Sequence, residues 1–102
     1  MTTKKSYTVE DLRKKYGPMT VGRFVKAFRM SDEISQTDFA KKLGMSRANL
    51  CDIEKERKPV SLDRAVQIAK VFRVSEQYLI QLALQDQLRR ENLPYEVELK
   101  SA

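Results

Sequence analysis

The chain has 102 residues, 41% hydrophobic and 33% charged, with 20 Lys and Arg against 14 Asp and Glu and a net charge of +6. That length suits one domain with short tails, and no apolar run approaches the roughly 20 residues that span a bilayer. Histidine is absent and Cys51 is the single cysteine, which excludes an internal disulfide, a zinc site and every Ser-His or Cys-His dyad. Residues Met1 to Ser6 contain no apolar stretch of a secretory signal. A cytoplasmic protein without cofactor, metal or enzymatic activity is the expectation. The basic balance favours a polyanionic partner, of which nucleic acid is the commonest.

The punctuation predicts helix after helix. Thr8 caps a short first helix that stops at Gly17-Pro18. Thr20 caps a second from Val21 to about Arg29, with Val21, Phe24, Val25 and Phe28 on one face. After a polar connection, Ser35 caps Gln36 to Leu43, which buries Phe39, Ala40 and Leu43 and ends at Gly44. Two residues later Ser46 caps Arg47 to about Lys55, with Leu50 and Ile53 inward. Ser61 caps Leu62 to Phe72, whose apolar residues are Leu62, Ala65, Val66, Ile68, Ala69 and Phe72. Ser75 caps a last helix to about Arg90, closed by Asn92 and Pro94. Residues 1–19 read as an N-terminal extension, 20–90 as the domain and 91–102 as a tail. In that tail Leu93, Tyr95, Val97 and Leu99 alternate with polar residues or proline, the pattern of a half-buried strand. A lone strand needs a partner: the Ser6 to Val9 segment, a second copy, or another protein.

The most informative element is the pair of helices joined through Gly44-Met45. A turn this short makes two helices cross steeply. Arg47, Ala48, Cys51, Asp52 and Lys55 then form one outward stripe on the second helix, which can enter the major groove, about 12 Å wide.

Val21-Gly22, Val25, Arg29, Ile34-Ser35-Gln36, Phe39-Ala40, Leu43-Gly44-Met45-Ser46, Leu50, Ile53-Glu54 and Ile68-Ala69 together resemble the Xre, or lambda-repressor-like, helix-turn-helix family over roughly residues 20–85. The resemblance implies an all-α, five-helix domain, here with a short N-terminal helix and a possible C-terminal β-strand. It implies that Ser46, Arg47, Ala48 and Asp52 read bases. Arg47 would grip guanine through O6 and N7, Ala48 would touch a thymine methyl, and Asp52 would accept from cytosine N4 or orient Arg47. For Asp52, an intrahelical partnership with Arg47 or Lys55 is the plainer alternative. Ser35 and Gln36 would hold a phosphate at a helix N-terminus, and Asn49, Lys55, Arg57 and Lys58 would contact the DNA backbone. Arg29 and Glu54 match a structural ion pair. The family often has glycine where Glu33 and Glu56 stand, so Glu56 must either adopt a strained backbone or use another turn.

The last helix is apolar on two faces. Tyr78, Leu79 and Leu82 can serve the core, while Ile80, Leu84 and Leu88 lie on another face. A homodimer through Ile80, Leu84 and Leu88, with Tyr95 and Val97 of the tail, is expected. The alternative is an N-terminal segment folded back over this face. The function expected is a sequence-specific, double-stranded-DNA-binding transcriptional regulator, a dimeric repressor. The alternative is a HigA-type antitoxin, in which the extensions bind a toxin protein and the domain autoregulates its operon. The alternating tail would suit strand addition to a toxin's sheet.

Overall fold

The computed structural model describes residues 18–102; the expected helix from Thr8 and the Ser6 to Val9 segment lie outside these residues. The described residues form five helices: α1 (Val21–Ser31), α2 (Gln36–Leu43), α3 (Arg47–Glu54), α4 (Leu62–Phe72) and α5 (Glu76–Arg90). Each begins where a hydroxyl can take an orphan backbone N–H. Thr20, Ser35, Ser46, Ser61 and Ser75 accept from Arg23, Asp38, Asn49, Arg64 and Tyr78 respectively.

Each also ends in the same way. A residue just past the helix turns left-handed, with φ of 55° at Glu33, 66° at Gly44, 60° at Glu56, 58° at Arg73 and 57° at Asn92. The next N–H then reaches back to a last-turn carbonyl: Ile34 to Arg29, Met45 to Ala40, Arg57 to Asp52, Val74 to Ala69 and Leu93 to Leu88, at 2.8 to 3.0 Å. Gly44 adopts this conformation without steric cost, whereas Glu33, Glu56 and Arg73 carry a Cβ into it, a strain of roughly 1–2 kcal/mol for each. Of the two courses open to it, Glu56 therefore takes the left-handed turn and the strain.

Inside, Val21, Val25, Phe39, Leu43, Leu50, Ile68 and Leu79 are fully buried, each contributing about 1.5–3 kcal/mol of transfer energy. Phe72 of α4 gathers the rings around it. Phe39 stacks on it at 4.6 Å, Phe28 lies at 4.5 Å and Phe24 meets it edge-on at 6.2 Å. α5 packs along α4 and also touches α1, and its Asp86 carboxylate accepts from the Val21 N–H at 3.0 Å, capping α1 from a distant part of the chain. Leu62 is 47% exposed; as the first residue of α4 it precedes the buried face that Ala65, Ile68, Ala69 and Phe72 define.

The tail departs from the strand its alternation suggests. No strand occurs among the described residues. Instead the Gln85 side chain acts as a neighbouring peptide group, donating to the Tyr95 carbonyl at 2.7 Å and accepting from the Val97 N–H at 2.8 Å. Gln77 donates to the Leu99 carbonyl at 2.6 Å. Val97 and Leu99 are half-buried and Tyr95 is exposed. Of the alternating apolar residues only Val97 and Leu99 turn inward, and glutamine amides of α5 supply partners for part of the tail's backbone.

Candidate nucleic-acid interface

α2, the turn at Gly44-Met45 and α3 form the expected tight pair. Behind the turn, Arg64 Nη1 and Gln67 Nε2 of α4 both donate to the Leu43 carbonyl, at 2.6 and 3.0 Å, and Arg64 also donates to Gln67 Oε1 at 2.7 Å. These contacts satisfy an end carbonyl of α2 and tie the turn to the scaffold. Sequence reading missed them; the signal was a polar pair three residues apart on an otherwise core-facing helix.

α3 is seated on α1 by a close backbone approach. A Cβ on Gly22 would stand 2.3 Å from the Ile53 carbonyl oxygen and 3.2 Å from that of Glu54. Leu50, Ile53 and Glu54 are buried beneath. The structure brings Arg29 and Glu54 together as a forked pair: Nε donates to Oε2 at 2.7 Å and Nη2 to Oε1 at 3.0 Å. Arg29 Nη1 donates to the Ile34 carbonyl at 2.8 Å, so one guanidinium spans α1, the α1–α2 connection and α3. The hydrogen bond to Glu54 raises the Arg29 pKa above its ordinary value, against the opposing effect of burial. Gln36 joins this cluster, its amide donating to Glu54 Oε1 at 3.0 Å. With its side chain turned to Glu54, Gln36 offers an anion its backbone N–H at the start of α2.

The outer side of α3 is open. Ser46, Arg47 and Ala48 are exposed, and Asn49, Cys51 and Asp52 are half-exposed. Arg47 has no hydrogen-bond or ion-pair partner among the described residues. Asp52 pairs with neither Arg47 nor Lys55. It accepts from Arg57, with Nε at 3.0 Å and Nη2 at 2.9 Å from Oδ1. Asn49 accepts from Lys58. Lys55, Arg57 and Lys58 are all exposed. The left-handed turn at Glu56 sends the chain back over α3, which is why residues beyond the helix end reach its middle.

Ile80, Leu84 and Leu88 form a half-buried row on α5. Tyr95 is 66% exposed, and Val97 lies half-buried beside Gln85. No helix of the described residues is long and apolar enough to cross a membrane, and no acidic or cysteine cluster among them could hold a metal ion.

No curated protein matches the chain. The fold is similar to the crystal structure of a hypothetical transcription factor, NHTF, from Neisseria, with a TM-score of 0.54 and 22% identity over 70% of this chain and 79% of that one. Residues 25–79, which hold α2, α3 and α4, match the family model described as Helix-turn-helix. With that match over more than half its length, the chain belongs to the helix-turn-helix family of the Xre, lambda-repressor-like type, a family of DNA-binding domains.

Proposed function

We propose that this DNA-binding regulator recognises specific double-stranded sites as a dimer and represses transcription by occupying them. The observation that carries the reading is the outer edge of α3: Arg47, exposed and without a partner among the described residues, stands between Ser46 and Ala48 on a helix whose opposite side is buried. In the bound state Arg47 donates to guanine O6 and N7, Ala48 packs on a thymine methyl, and Ser46 contacts a neighbouring base. The start of α2 at Ser35 and Gln36 holds a phosphate, while Asn49, Lys55 and Lys58 contact the backbone and set the register. One such unit covers few base pairs, and a second copy joined through Ile80, Leu84 and Leu88 presents two units to a palindrome.

Selection of sites from random duplex DNA at two salt concentrations, with the intact protein and with Arg47→Ala, tests this reading. A palindromic motif that loses definition at one position per half-site in the variant supports it. Weak, salt-sensitive binding without enrichment overturns it.

The tail favours a second reading, that of an antitoxin. Its peptide groups at Tyr95, Val97 and Leu99 are met by glutamine side chains, which the edge of another protein's sheet can replace at little cost. Copurification of a small toxin whose binding is lost on deleting residues 93–102 supports that reading; a stable dimer without such a partner favours the free-standing repressor.

A further inference from the structure

Arg57 lies three residues beyond the end of α3, where an arginine would ordinarily be assigned to the DNA backbone. Its setting suits a different role. The Nε and Nη2 side of its guanidinium is held by Asp52 Oδ1 at 3.0 and 2.9 Å, and Nη2 lies 4.0 Å from Cys51 Sγ. Both neighbours belong to the outward stripe of α3, so the guanidinium is folded back over the surface that would face the groove. Nη1 makes no hydrogen bond among the described residues.

Two physical consequences follow from this pairing. A carboxylate beside the guanidinium cancels most of its net charge, which weakens it as a phosphate counter-ion and would place Asp52 unfavourably close to the DNA backbone. The directional donors survive this cancellation. A guanidinium held along its Nε edge can still present its outer Nη edge, the parallel pair of N–H groups that matches guanine O6 and N7, by giving up the weak Nη2 contact to Cys51 Sγ. Asp52 also restricts the rotamers of a long side chain in advance, reducing the ordering cost of a base contact. Lys58 is the internal contrast: its partner is the neutral Asn49 amide, so it keeps its full charge, as a phosphate contact requires.

Resting on the reading of α3 as the DNA-recognition helix, we propose that Arg57 is a second base-reading arginine and that Asp52 is the residue that positions it. The specificity surface is then α3 together with the turn that follows it, and Asp52 contacts no base itself.

The test is site selection from random duplex DNA followed by affinity measurements on every single-base-pair variant of the selected site. The intact protein is compared with Arg57→Ala, Arg57→Lys, Asp52→Asn and the Asp52→Asn/Arg57→Ala double variant. The pair is exposed and contributes little to folding, and circular dichroism verifies that each variant is folded. In the intact protein one base pair per half-site, separate from the one read by Arg47, is preferred by roughly ten-fold or more. That preference falls to about two-fold or less in Arg57→Ala, in Arg57→Lys, which keeps the charge without the fork, and in Asp52→Asn, with no further loss in the double variant. Uniform weakening with unchanged base preferences and a salt slope lower by about 1 makes Arg57 a phosphate contact and overturns the proposal. Retention of the preference in Arg57→Lys overturns it as well. A preference that Asp52→Asn alters in the Arg57→Ala background makes Asp52 itself a base reader, with the same consequence. Failure of the intact protein to select any motif removes the underlying reading, and the inference falls with it.

Discussion

Gly22 and Ile53 stand so close that the backbone of α1 runs directly beneath the last carbonyls of α3. A methyl group on Gly22 would meet the Ile53 carbonyl oxygen at 2.3 Å and that of Glu54 at 3.2 Å, both main-chain atoms that move only if α3 moves. Alanine is otherwise the better helix former, by about 1 kcal/mol. The contact reverses this preference. Gly22→Ala is expected to destabilise the fold by roughly 1–3 kcal/mol in urea unfolding, the range for overpacking a rigid contact. A neutral or stabilising effect would mean that α3 is not seated as described.

Truncating Glu54 tests the polar joint beside that contact. Glu54→Ala leaves the Arg29 guanidinium largely buried without its carboxylate and frees the Gln36 amide. A loss of roughly 3–5 kcal/mol is expected, measured by chemical denaturation. A change below about 1 kcal/mol would place the pair among exposed ion pairs of little consequence.

Glu33 offers a stabilising change. Its φ of 55° carries a strain of roughly 1–2 kcal/mol, which glycine removes at an entropic cost of about 0.5–1 kcal/mol. Glu33→Gly is expected to raise the melting temperature by a few degrees, since roughly 0.5–1 kcal/mol remains and about 1 kcal/mol shifts a domain of this size by 4–8 °C. A lowered melting temperature would show that the strain is relieved elsewhere.

Asp86 gives a pH dependence with a definite sign. Burial raises its pKa above the ordinary value; the hydrogen bond from the Val21 N–H and the hydrogen bond and charge of Arg89 oppose this, while the charge of Glu56 adds to it. A carboxylate whose pKa is higher in the folded state holds its proton more tightly there than in the unfolded chain. Its contribution to stability is fully present below the unfolded pKa and is lost as pH rises through the folded one. Asp86→Asn keeps an acceptor for Val21 and cannot titrate. The stability of the intact protein relative to this variant is therefore expected to decline from about pH 4 upward and then level off, as read by melting temperatures in parallel buffers. A rise over the same window would show that the Val21 and Arg89 interactions outweigh burial.

The helices were legible in the sequence because their starts, and some of their ends, are written locally. A hydroxyl before each apolar run marks where it starts, and Gly44 and Asn92 mark where Gln36–Leu43 and Glu76–Arg90 stop, whereas the left-handed conformation of Arg73 after Leu62–Phe72 carries no sequence signal. The outward stripe of α3 followed from the same periodicity. Contacts made through irregular backbone were not legible. Helical spacing suggests Arg47 and Lys55 as partners for Asp52, whereas the turn at Glu56 delivers Arg57. The carboxylate of Asp86 on Val21 and the two donors on the Leu43 carbonyl span 65, 21 and 24 residues, separations at which no local pattern carries information. The tail misled for a related reason: alternation is silent on what satisfies the backbone, and Leu93 and Tyr95 stay exposed although they keep the period.

The closure of the Leu43 carbonyl by Arg64 and Gln67 bears on how the protein meets DNA. A hinge tied from behind has lost its conformational entropy during folding, so little remains to be lost on association. Encounter then resembles the docking of a rigid body, with its rate set by diffusion and long-range charge and little induced ordering in its heat-capacity change. Loosening either donor would leave the outer face of α3 chemically intact and still slow its engagement, because the end of α2, from which the turn into α3 departs, is held by α4.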